Sequence, residues 1–457
     1  VTPESGHNRN RSALSEQQVA EAFELVDNRA MRVRLDYGVA GLEVDLPDDR
    51  VTVIEPRSRR AVADSQAALV AALRAPIGSP PLRELTSRGG RVAISVCDIT
   101  RAQPRREMLD ALFEEMRDVR AEDVTILVAT GTHRGNTPAE IEAMLGADIV
   151  RRYRVVNHDS RDRSALVDVG QTATGVSVFL NRLWLDADVR ITTGFVEPHF
   201  FAGFSGGPKM VAPGLAGLQT TLTLHDARRI GHPMATWGVT DGNPIHDDVR
   251  AIARMTGVHF AVDVTLNRAQ QITAVFAGEL FAEHRAACAA AMRDAMREVD
   301  APFDVVLTTN SGYPLDQNLY QAVKGMSAAA KVVKRGGTIV CAAECRDGLP
   351  AHGSYGEVLA SRSSPRELLA MITAPGYSKP DQWQVQIQAQ VQTKARVLVK
   401  TSGLSAREIR AAHFEPVDDV GAAVAGALSA AGPQATLCVL PQGPQTIPYC
   451  QREESIT

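Results

Sequence analysis

Three short runs rich in β-branched and apolar residues constrain this chain most: RVAISVC (Arg91 to Cys97), DVTILVA (Asp123 to Ala129) and DVRITT (Asp188 to Thr193). The first two lead through loops into helix-like segments, REMLDALFEEMRDV behind Pro104 and PAEIEAMLG opened by Pro138. Strands alternating with helices predict an α/β fold with a largely parallel sheet. In such open sheets ligands bind beyond the carboxyl ends of the strands. That rule brings Asp98, Arg101, His133 and His199 to one rim, from three separate loops.

The third loop is the most unusual stretch of the chain. Gly194 to His225 reads GFVEPHFFAGFSGGPKMVAPGLAGLQTTLTLH, and its glycines and prolines argue against a regular helix or central strand, so the whole stretch is expected to be a shaped loop. Gly206-Gly207 lets backbone N–H groups approach a ligand closely, in a concavity suited to phosphate. Lys209 then stands where a cation or an amine nucleophile is useful. The stretch is not a P-loop, because Pro208 separates Gly207 from Lys209 and no Ser or Thr follows the lysine.

The string EPHFFAGFSGGPKMVAPG, followed by the histidine of TLH, closely resembles the lactate racemase family, which uses a nickel pincer nucleotide. That cofactor is a Ni-pyridinium-3,5-bisthiocarboxylic acid mononucleotide. The resemblance implies that His199 is an acid/base, that Lys209 is where the cofactor can be joined covalently, and that His225 is a nickel ligand. DITR (Asp98, Ile99, Thr100, Arg101) is similar to the family's D-x-T-R segment, which contacts the cofactor and whose arginine reaches the substrate. GTHR implies a second acid/base at His133. YQAVK matches the substrate-binding helix, assigning Tyr320, Gln321 and Lys324 to the substrate, and Trp383 is the candidate aromatic wall. The implied reaction interconverts the enantiomers of a 2-hydroxy acid by reversible hydride transfer. Its implied partners are the cofactor-synthesis proteins: a pyridinium carboxylase, a sulfur transferase and a nickel insertase. The identity of the 2-hydroxy acid and the covalent attachment vary within the family and stay open.

Composition agrees with a soluble globular protein: 457 residues, 44% hydrophobic and 22% charged, long enough for two or three domains. A net charge of −4 gives no electrostatic case for nucleic acid or an anionic membrane. Six cysteines without a C-x-x-C pair suit a reducing compartment. With neither a secretory h-region nor a long apolar run, a cytoplasmic location is expected. The expected division is an extension and short helix over 1–28, a cofactor-binding α/β domain over 29–279 and a second α/β domain over 280–457. The boundary lies at an alanine-rich helix from about Leu280 to Val299, and the site in the cleft between two layered domains. FDVVLTTN, GGTIVCAA, ARVLVKT and ATLCVLP are the strands of the second domain. A loop of Glu344, Gly348, His352 and Gly353 is expected to line the cleft. DQWQVQIQAQVQ reads as a helix packing through Val385, Ile387 and Val391. Two rival readings stand beside the racemase: a zinc hydrolase using His133, His199 and His225, and a non-catalytic nucleotide or cofactor carrier. His232 and His246 do not complete an H-E-x-x-H pattern.

Overall fold

The computed structural model, which describes residues 30–47, 50–57, 59–87, 89–350 and 353–450, places Val92–Cys97 inside a six-stranded sheet. The expected N-terminal extension and helix, His352 and the tail beyond Cys450 lie outside these residues. Every residue of Val92–Cys97 is buried, as expected of a β-rich run covered on both faces. The strand order is Ile272–Gly278, Phe260–Leu266, Val189–Phe195, Val92–Cys97, Val124–Ala129 and Arg154–Asn157. All neighbours are parallel except the first pair. The chain runs outward from Val92–Cys97 in one direction, then returns to build the other side from Val189–Phe195. The crevice between those two strands is the topological switch point, where such sheets bind ligands.

A second six-stranded sheet is parallel throughout, in the order Glu415–Pro416, Arg396–Lys400, Val333–Ala342, Phe303–Thr309, Leu437–Leu440 and Val51–Val53. Its own reversal lies beside Phe303–Thr309, and the loop leaving that strand leads into the helix Leu319–Ala329. The layered α/β architecture with a mainly parallel sheet, expected from the strand rhythm, is therefore present twice.

The sheets divide the chain otherwise than at 279/280. Val51–Val53 completes the edge of the second sheet beside Leu437–Leu440, because an open strand edge is satisfied by whatever chain can pair with it. The antiparallel hairpin Ala30–Leu35 with Leu42–Pro47 buries Val33, Leu35, Val44 and Leu46 against Val305, Leu307 and Val340 of that same sheet. Conversely, the helix starting at Leu280 packs Ala287, Cys288 and Ala291 against Val196 and Phe204 of the first layer. It also stops at Ala295 rather than Val299. Met296–Val299 is a strand, drawn into parallel pairing with Ile447–Cys450.

The glutamine-rich helix Gln382–Lys394 packs more deeply than its sequence suggests. Gln382, Gln384, Gln386 and Gln388 are all buried along with Val385, Ile387 and Val391. Their amides bond backbone carbonyls of other segments: Gln386 Nε2 donates to Ala227 O at 2.8 Å and Gln388 Nε2 to Ala412 O at 2.8 Å. No helix among the described residues is long and apolar enough to cross a membrane.

Candidate active site

The loop after Val92–Cys97 is held from below by two buried polar side chains. Gln103 accepts the Cys97 N–H at 2.7 Å and donates to Thr193 Oγ1 at 2.8 Å, tying the two strands of the switch point together. Arg105 donates to the carbonyls of Cys97 (2.7 Å), Arg101 (2.7 Å) and Asp98. Sequence reasoning missed Arg105. The available signal was an arginine in the first turn of a helix, where the dipole disfavours a cation unless something else holds it.

So braced, Asp98 receives Nδ1–H of His133 at 2.6 Å, with Thr100 Oγ1 donating to its other oxygen at 2.6 Å. The Asp98 side chain is 4% exposed and that of His133 42%. Burial by itself raises the carboxyl, but the hydrogen bond and charge of His133, helped by Arg101 and Thr100, bring it below its usual range. His133 reaches this position because Gly131, at φ 56°, turns the chain and donates its N–H to Gly214 O at 3.0 Å.

The Gly-rich loop folds around the rings of Phe200 and Phe201. Pro198–His199 pairs antiparallel with Gly203–Phe204. The reversal needs Gly203, whose φ is 78° and where an added Cβ would lie 2.1 Å from Val239 O. Gly203→Ala is expected to cost more than about 1 kcal/mol of stability, measured by denaturant unfolding; an unchanged midpoint would contradict the tight turn.

The His199 ring lies 4.9 Å from Phe200 and 4.5 Å from Phe201. Around the same Phe201 ring, Lys209 Nζ is 5.9 Å from the centroid and His225 is 5.0 Å centroid to centroid. Ala202 N–H donates to Nδ1 of His199 at 3.3 Å, so the ring proton is assigned to Nε2. The stretch is not loop throughout: past Gly217 the sequence LQTTLTL has neither Gly nor Pro and forms the helix Leu218–Leu224, which His225, 8% exposed, terminates. Its Nδ1 has no hydrogen-bond partner among the described residues.

The second sheet closes the opposite wall. From helix Leu319–Ala329, Lys324 Nζ lies 5.9 Å from the Phe200 ring. The Trp383 ring lies 4.9 Å from that of His225, tilted by 56°, and donates its Nε1–H to Tyr320 OH at 3.1 Å. Below this wall, Trp237 Nε1–H donates to Ser327 Oγ at 2.9 Å across the two halves.

The electrostatics follow from enclosing several basic groups together. Burial, then the charges of Arg101 and Lys324, pull Lys209 down to about 7. Burial and Arg101 pull Lys324 down to about 8. Glu197, which sequence reasoning also missed, opposes both shifts. His225 falls to about 3 through burial and Lys209. His199 lies well below the usual imidazole range through burial and the cations Lys209, Lys324 and Arg101. At neutral pH both imidazoles of the Gly-rich loop are uncharged.

His199, Lys209, His225, Lys324, Tyr320 and Trp383 thus form one connected cluster, with Arg101 within electrostatic reach and the Asp98–His133 pair on the neighbouring loop. Ile99 stands apart: its side chain is 40% exposed and borders a surface depression with Gln103, Pro104 and Met144. Gln321 is half-buried, one turn before Lys324, and its backbone N–H bonds Asn318 Oδ1 at 3.1 Å. His246 is buried with Nδ1 3.2 Å from Ala202 O, a supporting role under the loop. No group of three or more His, Cys, Asp or Glu side chains among the described residues is arranged to hold a metal ion.

Comparison with known proteins points the same way. The family models described as the lactate racemase N-terminal and C-terminal domains match residues 37–238 and 299–447. The chain is 35% identical over 421 residues to the lactate racemase of Thermoanaerobacterium thermosaccharolyticum, covering 91% of this chain and 98% of that one. It is 35% identical over 421 residues to the lactate racemase of Lactiplantibacillus plantarum, covering 88% and 98%. The solved lactate racemase apoprotein from T. thermosaccharolyticum superposes with a TM-score of 0.85 at 34% identity, over 92% of this chain and 100% of that one. A Thermotoga maritima protein, 19% identical, shares the fold with a TM-score of 0.62 over 84% and 98%. With both domains matched and the alignment running nearly end to end, the chain belongs to the lactate racemase family.

Proposed function

We propose that the protein interconverts the enantiomers of a lactate-like 2-hydroxy acid, in a site between its N-terminal cofactor-binding and C-terminal substrate-binding parts. The observation that carries this reading is the pairing of two imidazoles whose Nδ1 atoms play opposite hydrogen-bond roles. His133 donates its Nδ1–H in a hydrogen bond to Asp98, which leaves Nε2 as the basic nitrogen; His199 accepts at Nδ1, which leaves its hydrogen on Nε2. His133 is poised to take a hydroxyl proton at Nε2, and His199 can return one only after it has itself been protonated, since a neutral imidazole N–H is far too weak an acid to give up its proton. The opposite enantiomer meets them in exchanged states.

The residues present fit the nickel pincer nucleotide. His225 offers a buried, uncharged imidazole with an unpartnered nitrogen, the state a soft-metal ligand requires. Lys209, at about 7, is a free amine about half the time at neutral pH, as acyl attachment requires. Thr100 and Asp98 lie on the adjoining loop, joined by the hydrogen bond from Thr100 Oγ1. When bound, this cofactor supplies an acceptor for the α-hydrogen and its electron pair, which spares the enzyme an unstabilised carbanion. Arg101 and Lys324 hold the carboxylate, Gln321 and Tyr320 flank it, and Trp383 closes the wall. The planar 2-oxo acid can then turn between His133 and His199 without leaving.

The Asp98–His133 pair favours an enzyme over a non-catalytic carrier, which has no use for an oriented base. The test is to produce the protein with and without the carboxylase, sulfur transferase and nickel insertase, then follow intact mass, nickel content and chirality of a panel of 2-hydroxy acids. Racemisation only in the loaded protein is expected. In D₂O the product should keep protium at Cα, since the hydrogen returns from carbon to carbon. A nickel-loaded protein that leaves every acid optically pure ends the reading.

A further inference from the structure

Phe260–Leu266 is buried over nearly its whole length, yet Asp263 stands in its middle with 1% exposure. A carboxylate there is costly unless it is paired. It lies opposite Gly194 of the neighbouring strand. A Cβ added at Gly194 would come 2.5 Å from Asp263 Oδ1, and one at Gly206 2.9 Å. Both glycines are thus the space that the carboxyl occupies. Its other oxygen accepts the Gly207 N–H at 2.7 Å. Gly206 and Gly207 have φ of 72° and 48°, and the short turn Gly207–Met210 that follows carries Lys209.

Behind Asp263 stands Glu283 of helix Leu280–Ala295, fully buried and in side-chain contact with it. Neither Glu283 oxygen has a donor among the described residues. Its titratable neighbours do not provide one: His284 Nε2 is 2.9 Å from Ser205 O, Cys288 Sγ lies 3.6 Å from that same ring, and Glu279 adds only negative charge. Cys97, from the first sheet, is held as a thiol by burial. Two carboxyls in this setting cannot both be ionised; a proton on Glu283 turns the contact into a hydrogen bond to Asp263. Burial raises Asp263 to about 7 and Glu283 well above its usual range, in agreement.

We propose that Asp263 is a positioning residue for the Lys209 turn, clamping the Gly207 N–H through a carboxyl pair that it shares with Glu283 over a single proton. The purpose of the clamp rests on the role given to Lys209 above, but its existence is tested without turnover. Full-length protein made without the cofactor pathway is treated with an N-hydroxysuccinimide ester, and Lys209 acylation is followed by site-resolved mass spectrometry as a function of pH. In the wild type the midpoint should lie near 7. In Asp263→Ala the freed turn returns the amine toward ordinary lysine, and labelling at neutral pH falls by about tenfold or more. Glu283→Gln keeps an N–H donor for Asp263 and is expected to label within about twofold of wild type, while losing the infrared carbonyl band of a buried protonated acid. A folded Asp263→Ala protein that labels like wild type overturns the clamp. If Asp263→Ala does not fold, Glu283→Gln decides: a retained acid band, or Lys209 slowed about tenfold, overturns it. Failure of loaded wild type to racemise any acid would count against the functional reading alone, leaving these outcomes to judge the clamp.

Discussion

His133→Ala is expected to fold normally and to lower kcat/KM by about 10²- to 10⁴-fold, the range for loss of a general acid/base. The equilibrium constant between enantiomers is unity, so kcat/KM must fall equally in both directions, which a chiral assay started from each pure enantiomer checks. His133 is set for this role by Asp98, which is 4% exposed and fixes the tautomer through a 2.6 Å bond to Nδ1. His133 and Arg101 outweigh burial and keep that carboxyl below its usual range. The stabilisation of the pair by ionised Asp98 is therefore complete above the ordinary carboxylate range and is lost only as pH falls through the lowered value. Asp98→Asn keeps the shape but permits the wrong tautomer, and a loss of about 10²-fold or more is expected without unfolding. A folded His133→Ala protein with wild-type turnover would remove His133 from the chemistry.

Much of this site is legible in the sequence because strand periodicity is local. RVAISVC and DVTILVA announce themselves by composition, and the parallel topology they require places their following loops on one rim. By that rule Asp98, His133 and His199 follow strands of one sheet and fall at its carboxyl rim. What was not legible depends on partners distant in the chain. Met296–Val299 looks like the end of an alanine-rich helix until Ile447–Cys450 offers it a strand partner. Val51–Val53 belongs with whichever sheet edge lies open, and that edge is formed by Leu437–Leu440. The glutamines of Gln382–Lys394 look solvent-facing, and only their bonds to remote carbonyls such as Ala227 O and Ala412 O explain their burial. Asp263 interrupts the apolar run FAVDVTL, a visible anomaly, but without Glu283 and Gly207 beside it the anomaly has no interpretation. A strand-end rule finds the residues that face the substrate. It is blind to those that act from behind the loop.

Lys324→Met is expected to reduce kcat/KM by about 10²-fold or more, chiefly through KM, because removing one partner of an enclosed charge pair costs roughly 2–5 kcal/mol. The helix holding Lys324 is fixed by tertiary contacts independent of the amine: Asn318 caps it, and Ser327 receives the Trp237 N–H at 2.9 Å. The variant should therefore keep its fold. The same lysine predicts the alkaline limb of the pH profile. Burial and Arg101 lower it to about 8, against the pull of Glu197. Lysine is charged below its pKa, so affinity for a carboxylate is full below about 8 and declines as pH rises through that value. Bound carboxylate favours the charged form, so the limb should appear in kcat/KM and move to higher pH or vanish in kcat. Lys324→Arg, which stays charged throughout, should flatten the alkaline limb even where its planar geometry weakens binding. Lys209 does not confuse the assignment if it is acylated by the cofactor, since an amide no longer titrates in this range. A Lys324→Arg enzyme that retains the wild-type limb would place the titrating group elsewhere, and a Lys324→Met enzyme with unchanged KM would take the carboxylate away from this wall of the cleft.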